Sequence, residues 1–182
     1  MSLNRTMGEI LLVIPPTVRV VRGNYEVEDH CINNLEAYLE NFKHVTFACP
    51  ISADTNNSGI LRSKPLSQIK GSDRLTYLAL PYPYREDRYL KHYIRTRSLL
   101  KAAISKADYL IFSPHSQYDW PTLGVRIATH MARKYAMEAD WDHASVRRLH
   151  LRAMPFGVRK LRRSIEMRLF SRNINYTRGA GV

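Results

Sequence analysis

The stretch that decides the fold is EILLVIPP, residues 9–16. Its five apolar residues, from Ile10 to Ile14, follow one another without a polar interruption, and two prolines end the run. A short, unbroken apolar run of this kind is typical of a strand that is buried on both faces of a parallel sheet. The sequence therefore predicts that such a strand opens the fold.

Downstream of this run, strand-like and helix-like segments alternate. Strands are predicted at 44–50, 74–83, 107–115 and 135–140, and helices at 29–42, 86–106 and 119–134. The second helix is predicted to point four apolar residues inward, namely Leu90, Ile94, Leu100 and Ile104. Asp119 is predicted to cap the third helix, and the polar residues 52–74 predict an irregular connection. This alternation predicts an α/β fold over residues 9–142, a Rossmann-like, doubly wound and mostly parallel sheet with helices on both faces.

The positive charge of the chain is concentrated in its second half. The formal net charge is +12. Residues 1–84 contain 8 basic and 8 acidic residues, whereas residues 85–182 contain 20 basic and 8 acidic ones. A one-sided excess of this kind favours an anionic partner, such as phosphates, an anionic membrane surface or nucleic acid. A solvated basic face, or a face that meets an acidic partner domain, would explain the same excess.

Residues 143–182 form a basic extension beyond the α/β pattern. Two segments, 143–154 and 158–172, have the apolar spacing of helices. The apolar stripe of the second segment is expected to pack on the sheet. Nucleic acid is disfavoured as a partner because the extension lacks interleaved aromatic residues and a recognised binding module. The cations predicted to face an anionic surface are Arg159, Lys160, Arg162 and Arg163.

The segment after the first strand, IPPTVRVVRGNYEVED at residues 14–29, lies where nucleotide-binding α/β proteins hold a phosphate. It offers one glycine, Gly23, with Arg22 before it and Asn24 after it. The three-glycine Rossmann fingerprint and the Walker loop are both absent. Acidic residues at the start of the next helix also weigh against phosphate binding by the helix dipole. A ligand-contacting loop and a purely structural loop are therefore both open.

A second candidate site follows the fourth predicted strand. The sequence PHSQYDWP, residues 114–121, places His115 just beyond that strand, at the edge where open parallel sheets bind ligands. An imidazole there can accept a proton or hydrogen-bond a sugar hydroxyl, and it can equally bond a nearby carbonyl. Tyr118 and Trp120 offer flat faces for a sugar ring, but aromatic residues at a helix start more often serve packing.

No metal site is predicted. Cys31 and Cys49 provide neither zinc spacing nor a disulfide framework. No nucleophile elbow and no Cys-His signature supports nucleophilic hydrolysis. One turn near the end of the α/β pattern is rich in possible ligands, but its spacing fits no defined metal motif. This turn contains Glu138, Asp140, Asp142 and His143.

Three stretches together resemble the amino-terminal domain of glycosyltransferases with the GT-B fold. They are ILLVIPP, GNYEVEDHCINNLEAYLENFKHVTFACPI and ADYLIFSPHSQYDWPTLGVRIATHMARKYAMEADWD, and the pattern covers residues 9–142. The order of segments is similar to that of the large retaining group that includes sucrose-synthase-like and mannosyltransferase-like enzymes, known as glycosyltransferase group 1 or family 4. In that group a first strand ends at a loop with glycine, and a later strand precedes a histidine-bearing loop.

The resemblance implies a function that needs two domains. Enzymes of this group move a sugar from a nucleotide-sugar to a hydroxyl acceptor, and the amino-terminal domain mainly binds the sugar or lipid-linked acceptor. The carboxy-terminal domain binds the nucleotide-sugar and carries two glutamates separated by seven residues, and this chain has no such pair after Glu166. The resemblance therefore implies the first domain of a longer enzyme. It would be inactive alone, hold no cofactor itself, and lead through residues 143–182 to a donor-binding domain.

The resemblance also implies roles for individual residues. His115 matches a histidine near the acceptor and the transferred sugar, and it is the predicted catalytic residue. Gly23, with Asn24 and Arg22, matches the loop that approaches the donor phosphates across the cleft, and this loop is expected to be mobile in the isolated domain. Asp140 lies where many members have a histidine or another polar turn residue, and it is expected to bind the acceptor. Tyr118 and Trp120 are expected to bind the acceptor on a separate ground, the flat faces of their rings.

The sequence predicts a cytoplasmic protein. It contains no signal peptide and no apolar run of about 18 residues. The basic extension suggests a peripheral position at an anionic membrane, where each cation contributes about 1 kcal/mol. The alternative function is a non-catalytic α/β module that binds an anionic partner, either a membrane surface or nucleic acid, through residues 143–172.

Overall fold

The computed structural model of the protein describes residues 7–15, 18–51, 63–83, 86–114 and 118–138. The predictions made for residues 143–182 lie outside these ranges. The described ranges include most of the segment for which the α/β pattern was predicted, and they contain both faces of its sheet.

Five strands form the main sheet: β1 (Met7–Val13), β4 (Phe42–Pro50), β6 (Leu75–Leu80), β7 (Tyr109–Phe112) and β8 (Ala136–Met137). Their spatial order is β6-β4-β1-β7-β8. Every neighbouring pair is parallel. The α/β, doubly wound and mostly parallel fold predicted from the sequence is thus confirmed.

Three helices cover the two faces of this sheet: α1 (Asp29–Asn41), α2 (Glu86–Lys106) and α3 (Trp120–His130). Leu35 and Leu39 of α1 pack in one buried cluster. Leu100 of α2 and Leu123 of α3 pack in the other. Each helix therefore buries its apolar stripe against the sheet, which is the main source of stability for an amphipathic helix.

Strand β1 lies at the centre because both of its faces are apolar. Ile10 and Leu12 point into the cluster that contains α1, whereas Leu11 and Val13 point into the cluster that contains α2 and α3. Successive side chains of a strand alternate between faces, so an unbroken apolar run fills both clusters at once. The physical reason behind the prediction for residues 9–16 is therefore correct.

The segment after β1 differs from the loop that the sequence predicts there. It forms a hairpin of β2 (Val18–Val21) and β3 (Asn24–Glu28), and β5 (Ser63–Pro65) extends this hairpin to a three-stranded antiparallel sheet. Arg22 and Gly23 form the two-residue turn, with φ values of 50° and 83°. Positive φ at both central residues is the geometry of a type I′ hairpin turn, whose twist matches that of the flanking strands. The β-branched residues on either side favour strands, so the described part of this segment is a hairpin of regular strands.

Helix α2 also differs from its prediction in which residues face inward. Leu100 and Ile104 are fully buried as predicted, but Leu90 is 70% exposed and Ile94 is 82% exposed. The buried residue is instead Tyr89, one position before Leu90. Tyr89, Tyr93 and Leu100, with Thr96 between them, follow helical spacing as well as Leu90 and Ile94 do. The sequence pattern therefore contains two candidate stripes. Only packing against α3 and β1 selects between them.

The start of α3 agrees with the sequence. Asp119 precedes the helix, and its carboxylate accepts a hydrogen bond of 2.7 Å from the backbone N–H of Thr122. This bond satisfies one of the amide groups that a helix start leaves unpaired. Leu123 and Ile127 are buried as predicted. The helix ends at His130, four residues earlier than predicted.

Candidate functional site at the carboxyl edge of the sheet

The strand order reverses between β1 and β7. The chain runs outward from β1 through β4 to β6, then crosses back through α2 to β7 on the other side of β1. In open parallel sheets, ligands bind in the crevice outside the carboxyl ends of the strands at such a reversal. The carboxyl ends of β1 and β7 therefore define the candidate site, which we call the switch point.

Backbone hydrogen bonds hold the residues at the switch point in place. The N–H of Ile14 donates to the carbonyl of Ala48 at 3.1 Å, and the N–H of Ser113 donates to the carbonyl of Val13 at 3.0 Å. The ladder of the sheet thus continues one residue past β1 and β7. Because these groups are already paired within the sheet, the polar groups offered to a ligand must come from side chains and from the following residues.

Ser113 and Glu138 are the polar side chains that the fold brings together here. The hydroxyl of Ser113 donates to Oε2 of Glu138 at 3.4 Å, and both residues are half-buried. The N–H of Glu138 donates to the carbonyl of Phe112 at 2.9 Å, which fixes this carboxylate beside the end of β7. Sequence reasoning noted Glu138 as part of a turn and did not pair it with Ser113, because the two lie 25 residues apart.

A second polar contact lies at the end of β4. The thiol of the buried Cys49 donates to the carbonyl of Pro15 at 3.2 Å, and the Tyr77 hydroxyl donates to the carbonyl of Cys49 at 3.0 Å. Burial raises the pKa of Tyr77 well above its ordinary value, and the neighbouring Cys49 and Tyr25 raise it further. Tyr77 therefore stays neutral and acts as a hydrogen-bond donor. Its contact with Cys49 is structural.

Four aromatic residues pack together where α2 and α3 begin. This aromatic cluster is centred on Tyr89, whose ring lies 4.8 Å from that of Trp120 at an interplanar angle of 20°. Tyr93 and Tyr118 each approach Tyr89 with ring centroids 5.7 Å apart. The indole N–H of Trp120 donates to the carbonyl of Pro81, just beyond β6. The aromatic cluster therefore joins the two connections that follow β6 and β7.

Trp120 does not have the role predicted for it. Its side chain is 0% exposed, and one ring face is covered by Tyr89, so the indole cannot offer a flat face to a sugar ring. The first turn of a helix that packs on the sheet places this residue in the core. Tyr118 is half-buried at the margin of the same cluster. Of the two predicted aromatic residues, Tyr118 is therefore the one with exposed surface.

The hydroxyl of Tyr89 is buried and has no hydrogen-bond partner in the described part of the chain. Burial raises the pKa of Tyr89 to about 12, although the nearby Arg126 opposes this effect. The group is therefore a neutral donor at physiological pH. Leaving a buried hydroxyl unpaired costs about 1–3 kcal/mol, so this hydroxyl offsets part of the stability that packing in the aromatic cluster provides.

The predicted donor-phosphate residues lie at the tip of the hairpin rather than at the switch point. Arg22, Gly23 and Asn24 are all exposed. The second basic residue of this segment, Arg19, forms an ion pair of 2.9 Å with Glu28 and is mostly buried. Gly23 is explained by the positive φ of the turn. A Cβ at this position would have no heavy atom within 4 Å, so close packing does not require glycine here.

Several predicted residues lie outside the described ranges. They are His115, Asp140, Arg159, Lys160, Arg162 and Arg163. Within those ranges, no group of three or more histidine, cysteine, aspartate or glutamate residues could hold a metal ion. None of the helices observed there combines the length and apolar character needed to span a bilayer.

Comparisons with known proteins leave the function open. No protein-family model matches the chain, and no curated protein matches it. Among solved structures, the chain is similar to the C-terminal domain of a hydrogenase from Pyrococcus furiosus, with 11% sequence identity and a TM-score of 0.44. That match covers 78% of this chain and 97% of the other. A likeness at this level supports no inference about function.

Proposed function

We propose that this chain is the acceptor-binding α/β domain of a glycosyltransferase. In this proposal the full enzyme moves a sugar from a nucleotide-sugar to a hydroxyl acceptor, and a carboxy-terminal domain binds the donor. The supporting observation is the switch point between β1 and β7, because open sheets bind small molecules at such a reversal. The resemblance of residues 9–142 to the amino-terminal domain of these enzymes agrees with a ligand at this edge.

The chemistry at the switch point suits a ligand that is rich in hydroxyl groups. The Glu138 carboxylate can accept hydrogen bonds and the Ser113 hydroxyl can both donate and accept them. Tyr118, at the margin of the aromatic cluster, is a further partly exposed ring among the residues that follow the strands. Small-molecule sites commonly combine a few convergent polar groups with an apolar or aromatic wall. An acceptor sugar supplies alternating hydroxyl groups and apolar ring faces that match this combination.

His115 follows Ser113 by two residues in the sequence and is proposed to contact the acceptor. In a retaining transfer the leaving phosphate can take the proton of the acceptor hydroxyl, and His115 then orients this hydroxyl rather than acting as the base. Asp140 follows Glu138 by two residues and is proposed as a further acceptor contact. Arg22 is exposed at the hairpin tip, and its guanidinium is still proposed to contact the donor phosphates.

Acceptor binding is expected to depend on His115. Replacement of His115 with alanine should weaken the binding of a matching acceptor about tenfold, since loss of one such hydrogen bond costs about 1.4 kcal/mol. Calorimetric titration of the chain with a panel of sugars, lipid-linked acceptor analogues and nucleotide-sugars measures this change. His130→Ala is the matched control, because His130 is exposed at the far end of α3. Failure of every sugar in the panel to bind, or an unchanged affinity in His115→Ala, would contradict the proposal.

A second candidate function is the binding of an anionic membrane surface through residues 143–172. The supporting observation is the charge of residues 143–182, which contain 10 basic residues and one acidic residue. Replacing Arg159, Lys160, Arg162 and Arg163 with alanine should abolish sedimentation with vesicles of mixed phosphatidylcholine and phosphatidylserine at low salt. Neutral vesicles are the control. Equal sedimentation of the variant and the unaltered chain would exclude this role.

A further inference from the structure

One side of α2 presents apolar and basic residues to solvent. We call this surface the α2 flank and define it by Leu90, Ile94, Arg97 and Lys101. Leu90 and Ile94 have the highest exposed fractions among the large hydrophobic residues of the described ranges, 70% and 82%. Arg97 and Lys101 are also exposed. Two aliphatic side chains exposed to this degree within one helical turn of each other indicate an interaction surface more than isolated exposure would.

Helix geometry places the α2 flank beside the buried stripe rather than opposite it. At 3.6 residues per turn, its four residues fall within an arc of about 60°. This arc lies about 110° from the stripe formed by Tyr89, Thr96 and Leu100, which is buried against the rest of the protein. Lys91 and Ser98 occupy the outermost ridge of the helix. The α2 flank is therefore a lateral surface alongside which a polypeptide segment could lie.

The order of side chains along the α2 flank determines the chemistry of its partner. The apolar residues Leu90 and Ile94 come first, and the cations Arg97 and Lys101 follow one and two turns later. We propose that the α2 flank docks an acidic amphipathic helix of a partner protein. In that helix, a pair of aliphatic residues spaced by four would cover Leu90 and Ile94, and acidic residues further along would face the two cations.

Other occupants fit this surface less well. A flat bilayer would meet the outermost ridge at Lys91 and Ser98 before the flank. Nucleic acid would favour aromatic residues between the cations, and the α2 flank offers aliphatic ones. A second copy of the chain, or the basic residues 143–182, would bring like charges onto Arg97 and Lys101. Charge complementarity therefore favours an acidic polypeptide, and this inference does not depend on the proposed glycosyltransferase function.

Binding of a designed peptide to the full chain tests the inference. The probe is a synthetic helical peptide of about 20 residues, long enough to form a helix, with leucines at i and i+4 and glutamates one and two turns later. Fluorescence anisotropy measures its affinity. The double substitutions Arg97→Glu with Lys101→Glu and Leu90→Ser with Ile94→Ser should each weaken binding about tenfold. Arg88→Glu with Arg95→Glu is the matched control, because it makes the same charge change on the opposite side of α2 and should alter affinity less than about twofold.

Three outcomes would overturn the inference. Equal losses for the two charge-reversal pairs would mean that the peptide senses only overall charge, as an anionic vesicle would. Unchanged affinity in Leu90→Ser with Ile94→Ser would mean that these two apolar residues do not contact the peptide. A melting temperature lowered by more than about 5 °C in that same variant would show that other residues of the chain cover Leu90 and Ile94, because exposed substitutions usually change stability little.

Discussion

Replacing Trp120 with alanine is expected to lower the free energy of unfolding by about 3 to 5 kcal/mol. The indole is fully buried, stacks on Tyr89, and donates its N–H to the carbonyl of Pro81. Alanine removes the apolar contact, leaves a cavity in the aromatic cluster and leaves the Pro81 carbonyl without this donor. Typical domains unfold with only about 5–15 kcal/mol. Urea unfolding followed by circular dichroism measures the loss.

Two further substitutions separate packing from hydrogen bonding in this result. Trp120→Phe keeps an aromatic ring but loses the N–H, and should cost about 1–3 kcal/mol. Leu90→Ala is the surface control, because it also shortens a large apolar side chain but at a position that is 70% exposed. It should alter stability by no more than about 0.5 kcal/mol. A comparable cost for Leu90→Ala and Trp120→Ala would mean that the burial described for α2 is wrong.

Replacing Gly124 with valine is expected to lower the free energy of unfolding by about 3 kcal/mol. Gly124 lies in α3, and a Cβ placed there would come within 2.5 Å of Cε1 and 2.8 Å of Cδ1 of Phe112. Phe112 is fully buried and meets Tyr135 edge-on with ring centroids 5.7 Å apart, so its ring has little room to move. Valine adds two further methyl groups to this clash. Thermal and urea unfolding both measure the effect.

A double-mutant comparison tests whether a clash with the Phe112 ring causes this loss of stability. In a Phe112→Leu background the cost of Gly124→Val should fall by at least about 1 kcal/mol, because the smaller side chain removes the clash. Gly23→Ala is the contrasting control. Its Cβ meets nothing within 4 Å, but φ at this residue is 83°. Its cost of about 1–2 kcal/mol should therefore come from the backbone and not depend on Phe112. Equal costs for Gly124→Val in both backgrounds would contradict the steric explanation.

The α/β architecture could be predicted because each element carried a local pattern of its own. The apolar run of β1 indicated burial on both faces, and Asp119 marked the start of α3 through a side-chain bond that needs only nearby residues. The hairpin of β2 and β3 was not predicted. Its valines and the Arg22-Gly23 turn were in fact the local signal for two strands.

The edge of the sheet that carries the candidate site could be predicted, but the residues that meet there could not. Parallel strands place all their carboxyl ends at one edge, so the segment that follows β7 could be selected without coordinates. The residues selected in the segment after β1 lie at the hairpin tip instead. The pairing of Ser113 with Glu138 joins residues from either side of α3, and no periodicity reports such a contact. Trp120 was assigned to a ligand for its flat ring, although aromatic residues at a helix start more often serve packing, and the folded chain buries it completely.

The sequence by itself determined the fold class, since alternating apolar runs and amphipathic segments leave a parallel sheet covered by helices as the way to bury them. It also determined where the positive charge lies along the chain. The tertiary structure alone decided which apolar stripe of α2 faces the sheet, and hence that Leu90 and Ile94 are exposed. It also decided that Trp120 is a core residue and that Ser113 meets Glu138. These outcomes depend on long-range packing, where two locally equivalent arrangements differ only in the contacts that the rest of the fold provides.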